Sequence, residues 1–230
     1  MSYGTAVHKT AEAIYAYLKT NGTAPTLQNV QIMFGEKLEK EKMDKQDFIN
    51  YLEKGNNVWK VYFETAKNRL DPSHWIETDF KLQQVMVDKV QITGKIDKII
   101  PNEQEKFLEV YDFKTGKYQR DWNGKDVYKK IQLHNYKRQL VFYKLLIEGS
   151  RDYSKYRVNK GYLEFLSPTT ENEILLLPYE ITAEDVERLK KIIIAVHSKI
   201  QNLDFPDVSK YEKSLDGLLA FENDLINGSI

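Results

Sequence analysis

The chain has 230 residues, 41% of them hydrophobic and 12% aromatic, which is enough for one large domain or two small ones. Thirty-four basic residues balance thirty-four acidic ones, so a polyanion partner could bind only at a local basic patch. The absence of cysteine excludes disulfides, thiolate zinc sites and iron–sulfur clusters. No apolar run approaches the ~18 residues of a membrane helix and no signal peptide is evident, so we expect a cytoplasmic protein without a membrane partner.

The first 74 residues are predicted to be helical. In the first segment, apolar residues recur at helical spacing up to Gly22, a residue suited to a helix C-terminus. A second helix is predicted from residue 25 to residue 42, and a third from residue 47 to residue 70. The helical pattern begins almost at Met1, which suggests a domain taken from a longer chain.

Strand patterns follow. Alternating apolar residues predict strands over residues 75–83, 90–100 and 106–114. Residues 115–130 are polar and contain two glycines, which predicts a long loop that is either functional or mobile. A helix is predicted over residues 131–147.

The last third repeats the strand and helix patterns. Two strands are predicted over residues 155–168 and 172–181, and a well-capped helix over residues 182–203. A final helix is predicted from residue 213 to about residue 226.

We therefore predict a single domain over residues 1–230, of the α/β class and close to α+β, in which helices flank a central mixed sheet. Residues 1–74 form its helical part. Residues 75–180 contain the sheet and the helix after residue 130, and residues 181–230 contain the C-terminal helices.

The stretch EVYDFKTGKY poses the functional question. Alternation places Asp112 and Lys114 on the same face of a strand whose two faces are otherwise largely apolar. A buried unpaired charge costs several kcal/mol, so these two residues need partners or a purpose. A turn near residue 103 makes Asp97 and Asp112 near neighbours across a hairpin, with side chains ~4.5–8 Å apart.

Two neighbouring carboxylates repel each other unless a cation lies between them. Oxygen-rich sites with open water positions suit Mg²⁺ or Mn²⁺, so one or two such ions are the predicted cofactor. Lys114 would position a metal-bound attacking water or steady negative charge on a phosphate. These parts suffice to hydrolyse a phosphodiester. The alternative is an ordinary ion pair of Asp112 with Lys114 at a partly solvated strand end.

Four segments, GTAVHKTAEA, GKIDKI, VYDFKTGK and QLVFY, occur in this order and together resemble the RecB-like branch of the PD-(D/E)xK nuclease superfamily. The resemblance covers residues 3–148 by motif and implies a restriction-endonuclease-like core. It also implies a metal-dependent DNA nuclease of the kind found at the C-terminus of helicase–nuclease proteins. Many relatives carry an iron–sulfur cluster on four cysteines. Without them, the tail after Pro206 is expected to be held by ordinary packing.

The resemblance also implies roles for individual residues. The residues it implies for metal binding are His8, Asp97 and Asp112, and those for catalysis are Asp97, Asp112, Lys114, Gln139 and Tyr143. Cleavage is expected to leave a 5′-phosphate and a 3′-hydroxyl, and exonuclease action within a repair or recombination helicase is the favoured setting. The alternative is a non-catalytic DNA-binding or scaffold domain that retains the fold.

The window from Asp112 to Lys144 holds nine basic and three acidic residues, interleaved with aromatic ones. Such a surface suits the phosphate backbone and exposed bases of DNA, single-stranded or at ends. The predicted nucleic-acid-binding residues are Lys117, Arg120, Trp122, Lys129, Lys130, Lys137 and Arg138. A solvated loop and helix face is the alternative. A hydrolase that acts on another substrate is a third possibility, against which this window argues.

Four other residues carry little functional signal. Glu77 could add an acid near the site, but its pattern favours a solvent-facing position on a strand. The remaining histidines, His74, His134 and His197, have no convincing partner in the sequence, and we assign them no chemistry.

Overall fold

The computed structural model describes residues 2–81 and 84–230. In these residues, a mixed five-stranded sheet lies between two layers of helices, which confirms the predicted fold class. The prediction for residues 82 and 83, at the end of the first predicted strand, lies outside the described residues.

The N-terminal layer consists of α1 (Ser2–Asn21), α2 (Leu27–Glu39) and α3 (Lys45–Thr65), followed by a short 3-10 helix (Lys67–Arg69). The side chain of Thr26 caps α2 and that of Asp44 caps α3, each by accepting a backbone N–H of the first turn. Gly22 follows α1 with φ of +69°, a conformation that glycine adopts without strain. The helical first third is therefore as predicted.

The strands are β1 (Trp75–Asp79), β2 (Val85–Val87), β3 (Val90–Ile92), β4 (Lys95–Asn102), β5 (Phe107–Lys114), β6 (Arg157–Phe165) and β7 (Leu176–Glu180). Their order in the large sheet is β1-β4-β5-β6-β7, with β5 and β6 parallel and the other pairs antiparallel.

One strand prediction was wrong. The segment 90–100 is not a single strand, because it breaks before β4, and β3 pairs with β2 in a separate two-stranded sheet. Gly94 lies at the break, where an added Cβ would be 3.0 Å from Leu146. The chain therefore turns where a glycine fits best against α4.

The second helical layer consists of α4 (Val127–Glu148), α5 (Ala183–Gln201) and α6 (Leu215–Ile226). Helix α4 begins before the predicted start at residue 131, because Asp126 caps it by accepting the N–H of Lys129. A reciprocal capping box between Thr182 and Asp185 starts α5. None of the helices in the described part of the chain is long and apolar enough to cross a membrane.

Strand β5 contributes to two cores. Leu108 and Val110 pack in the core that includes Leu140 of α4, whereas Phe113 packs in the core formed with Trp59 and the other N-terminal helices. Both faces of β5 are thus buried, as its sequence predicted. The polar side chains of this strand must then be accommodated inside the protein.

A buried ion pair lies on the face of the sheet that carries Phe113. Lys98 of β4 contacts Glu164 of β6, and both side chains have 0% exposure. Arg69 is a second cation for Glu164, at 3.2 Å. The ammonium of Lys98 also lies 4.3 Å from the centre of the Tyr111 ring. The carboxylate is therefore paired on two sides, as a buried charge requires.

Helix α6 is attached to its neighbours through Glu222. This glutamate is 2% exposed and contacts Arg138 and Arg188 at 2.9 Å and His134 at 3.3 Å. Burial alone would raise the pKa of Glu222, but hydrogen bonds and charge from the three bases lower it below the ordinary value. The tail is thereby joined to α4 and α5.

Candidate active site

The two predicted aspartates lie where β4 and β5 separate. The last backbone pair between these strands is Lys98 with Tyr111, so Asp97 and Asp112 come next in register. The N–H of Phe113 donates to Oδ2 of Asp97 over 2.8 Å. A side chain thus replaces the backbone acceptor at this point, and the strands open around the two carboxylates.

Asp112 is the more enclosed of the pair, with 2% exposure. Its Oδ1 accepts a hydrogen bond of 2.8 Å from the hydroxyl of Tyr143. Its Oδ2 is 2.5 Å from Nζ of Lys114, an ion pair without hydrogen-bond geometry, and accepts no hydrogen bond from a described residue. Burial raises the pKa of Asp112 above its ordinary value and Asp97 adds to this, while Lys114 and Tyr143 offset only part.

Lys114 is held by two residues of α4. Its Nζ donates to Oε1 of Gln139 over 2.9 Å and lies 4.1 Å from the centre of the Tyr136 ring. Gln139 in turn donates from Nε2 to the Tyr143 hydroxyl over 3.1 Å. Gln139 and Tyr143 are one helical turn apart, so a single face of α4 orients both Lys114 and Asp112.

His8 comes from the opposite layer. Its Nδ1 lies 3.4 Å from Oδ1 of Asp97, and its ring packs edge-on against Phe113 at 5.9 Å between centroids. Burial alone would lower the pKa of His8, but the hydrogen bond and charge of Asp97, together with the charges of Asp112 and Glu77, raise it above the ordinary value. The structure thus brings α1 to the same two carboxylates.

Glu77 joins this row of acids. Its neighbours Ile76 and Thr78 pair with Lys98 and Ile96, which places Glu77 opposite Asp97. Its backbone has φ of +48°, an unfavourable conformation for a residue with a side chain. The sequence pattern favours a solvent-facing position, but the side chain is 28% exposed and lines a groove together with His8. The positive φ, which no periodicity reveals, puts it there.

The donor atoms fit a hard divalent cation. His8 and Asp97 offer a nitrogen and an oxygen 3.4 Å apart, close to the ~3 Å between neighbouring ligands of an octahedral ion with bonds of about 2.1 Å. Asp112 adds its Oδ2 atom, which accepts no hydrogen bond from any residue in the described part of the chain. Within residues 2–81 and 84–230, no three acids or histidines form a ready metal cluster. In the structure, Asp112 is paired with the ammonium of Lys114.

Several of the predicted nucleic-acid-binding residues have partners within the protein. Arg138 contacts Glu222, Lys137 lies over the rings of Trp122 and Tyr179, and Arg120 pairs with Glu171. The Trp122 indole donates to the carbonyl of Pro178. Lys129, near the start of α4, contacts Gln132, whereas Lys117 and Lys130 are exposed.

Comparison with known proteins agrees with this geometry. The model of the PD-(D/E)XK nuclease superfamily matches residues 1–212, so the chain belongs to that superfamily. The resemblance seen in the sequence is thereby confirmed. One similar protein is an ATP-dependent helicase/deoxyribonuclease subunit from Clostridium tetani (strain Massachusetts / E88), which is 28% identical over 142 residues. That match covers 61% of this chain and 11% of the relative.

Proposed function

We propose that this chain is a divalent-metal-dependent deoxyribonuclease that hydrolyses phosphodiester bonds. The observation that carries the proposal is the meeting of His8, Asp97 and Asp112 at the strand ends, with Lys114 fixed beside them. His8, Asp97 and Asp112 would hold Mg²⁺ or Mn²⁺, with Glu77 adjacent. When bound, such an ion polarises the phosphate and lowers the pKa of an attacking water.

Lys114, Gln139 and Tyr143 would each have a separate role in the reaction. The ammonium of Lys114 steadies the negative charge that develops on the phosphate oxygens. Gln139 accepts from Lys114 and donates to Tyr143, so it fixes the direction of the ammonium. Tyr143 donates to Oδ1 of Asp112, so Oδ2 would be the oxygen that binds the cation. In-line attack on phosphorus would leave a 5′-phosphate and a 3′-hydroxyl.

The setting of the activity is part of the proposal. Because a similar protein is a helicase/deoxyribonuclease subunit, we propose that the domain works beside a helicase, in the same polypeptide or in a complex. It would then degrade DNA from an end in repair or recombination. A helicase supplies single strands and free ends, which suits an exonuclease.

Cleavage of end-labelled single-stranded and duplex DNA tests this function, with Mn²⁺, Mg²⁺ or EDTA. We expect cleavage with either metal, none with EDTA, and none from Asp112→Ala or Lys114→Ala. The variant Asp152→Asn, at an exposed acid away from the site, should cleave like the unmodified protein. The product ladder separates exonuclease from endonuclease action.

Two results would contradict the assignment. Undiminished cleavage by Asp112→Ala would remove these residues from the mechanism. A strict preference for Mg²⁺ would argue against His8 as a ligand, since an imidazole suits Mn²⁺ better.

A non-catalytic DNA-binding domain is the second candidate. One observation favours it: Asp112 already has a cationic partner, the ammonium of Lys114, 2.5 Å from its Oδ2. In that case the protein would bind DNA with strong salt dependence and would cleave it with neither metal.

A further inference from the structure

An open groove begins at the candidate active site and runs between the N-terminal helices and the edge of the sheet. Helices α1 and α3 form one wall, and β1, β4 and the residue after β5 form the other. The groove measures about 960 Å³, and its lining includes Tyr3, His8, Lys9, Tyr51, Lys54 and Glu77. Apart from His8 and Glu77, the sequence pattern assigns none of these residues a role.

The groove carries more positive than negative charge. Lys9, Lys54 and Lys95 line it, against the acids Glu12 and Glu77. The pairs made by Lys9 with Glu41 and by Lys95 with Glu77 are both 3.5 Å long and solvent-exposed on the lysine side. Such exposed pairs contribute at most about 1 kcal/mol, so these ammonium groups can turn towards a phosphate at little cost.

The basic residues between Asp112 and Lys144, here called the basic window, are less available to a ligand. Arg138 is committed to the buried Glu222, and Lys144 donates to the carbonyl of Val158 in β6. Lys137 covers the rings of Trp122 and Tyr179. Transferring these cations to a ligand would break contacts that hold α4 to its neighbours. The lysines of the groove are therefore freer to contact a ligand near the active site than Arg138, Lys144 and Lys137 are.

The wall of the groove also has an aromatic part. Tyr3 and Tyr51 pack with ring centroids 5.2 Å apart, and Nζ of Lys54 lies 4.5 Å from the centre of the Tyr3 ring. The hydroxyl of Tyr3, which is 7% exposed, makes no hydrogen bond with a described residue. The Tyr3 hydroxyl is buried, so this wall contributes the rings of Tyr3 and Tyr51 and the ammonium of Lys54 to the groove.

We infer that the backbone of the DNA strand lies in this groove, with Lys9 and Lys54 on its phosphates and the Tyr3–Tyr51 wall beside it. The inference rests on the proposed function for the identity of the ligand. His8 and Glu77 line both the groove and the active site, so a strand in the groove leads directly to the reacting phosphate.

Binding of a fluorescein-labelled single-stranded oligonucleotide tests the inference by anisotropy, in EDTA and over a range of salt concentrations. We expect Lys9→Ala/Lys54→Ala to weaken affinity about tenfold at low salt. The slope of log affinity against log salt should fall by about 1.4, since each phosphate contact on a single strand contributes about 0.7.

A matched control changes two exposed lysines on the same helices, away from the groove. Lys19→Ala/Lys60→Ala removes the same charge from α1 and α3 and should alter affinity less than twofold. Equal losses in the groove and control variants would overturn the inference. So would a larger loss in Lys117→Ala/Lys130→Ala, which tests the basic window, or no DNA binding by the unmodified protein.

The outcomes separate this inference from the proposed function. Metal-dependent cleavage with unchanged binding by Lys9→Ala/Lys54→Ala would refute the groove and leave the nuclease assignment standing. Groove-dependent binding without cleavage under either metal would support the groove and refute the nuclease assignment.

Discussion

Asp112→Asn should separate stability from metal binding. Asp112 is 2% exposed, and burial keeps its pKa above the ordinary value despite Lys114 and Tyr143, so the ionised form is disfavoured in the folded protein. Its charge therefore destabilises the folded protein at pH 7 without metal, and this effect disappears as the pH falls below its unfolded pKa. Asparagine retains the acceptor for Tyr143 and removes the charge. We expect the variant to be more stable than the unmodified protein in EDTA.

The expected gain is about 1 kcal/mol, the scale seen when a destabilised functional group is replaced. For a chain of 230 residues this corresponds to a melting temperature higher by roughly 2 to 4 °C. With metal bound, the unmodified protein should have the higher melting temperature of the two. A ligand at about a hundred times its dissociation constant stabilises by about 2.7 kcal/mol, which raises the melting temperature of the unmodified protein by roughly 5 to 10 °C.

Thermal unfolding in EDTA and then in excess Mn²⁺ measures both effects. Asp112→Asn should melt higher in EDTA and respond little to Mn²⁺, whereas the unmodified protein and Asp152→Asn should both respond fully. A variant that melts below the unmodified protein in EDTA would refute the account of the buried charge. Equal responses to Mn²⁺ would refute Asp112 as a ligand.

Three further predictions concern hydrogen bonds and charges. Tyr143→Phe removes a hydrogen bond to a charged group, worth about 1.5–3 kcal/mol, and should slow cleavage roughly tenfold or more while DNA affinity stays unchanged; an unaltered single-turnover rate would contradict this. Lys98→Met should lower the free energy of unfolding by about 3 kcal/mol. The double variant Lys98→Met/Glu164→Gln should lose less stability than the sum of the losses in the two single variants. If urea unfolding shows that the two losses simply add, the two residues are not coupled. Glu222→Gln should cost about 2 kcal/mol at pH 7. Because the pKa of Glu222 is lowered, its charge stabilises the fold above the ordinary pKa of 4.5, and this stabilisation is lost as the pH falls. The free energy of unfolding of the variant should therefore depend less on pH in the acid range than that of the unmodified protein. Parallel pH dependences of the two free energies would count against this.

Much of the candidate site could be predicted because its geometry is local. Asp112 and Lys114 are two apart on one strand, and Gln139 and Tyr143 are one turn apart on one helix. Alternation and helical spacing fix these relations within single elements. The hairpin then brings Asp97 beside Asp112 through a short turn, whose register can be read to within a residue or two.

Other features depend on contacts between distant segments. The break at Gly94 lies against Leu146 of α4, and Glu77 has a positive φ within β1. The groove joins α1, α3 and two strands, and periodicity does not show how separate segments pack. Basic residues such as Arg138 form an evident cluster along the sequence, although their partners lie far away in the chain.

The buried pair of Lys98 and Glu164 bears on how the hairpin folds correctly. Asp97 and Lys98 are adjacent, so they point to opposite sides of β4. A slip of one residue against β5 would exchange them, placing an ammonium at the candidate active site and a carboxylate beside Glu164 without its cation. Each misplacement would cost several kcal/mol. We therefore expect the ion pair on one side of the sheet to favour the one alignment that assembles the acids on the other.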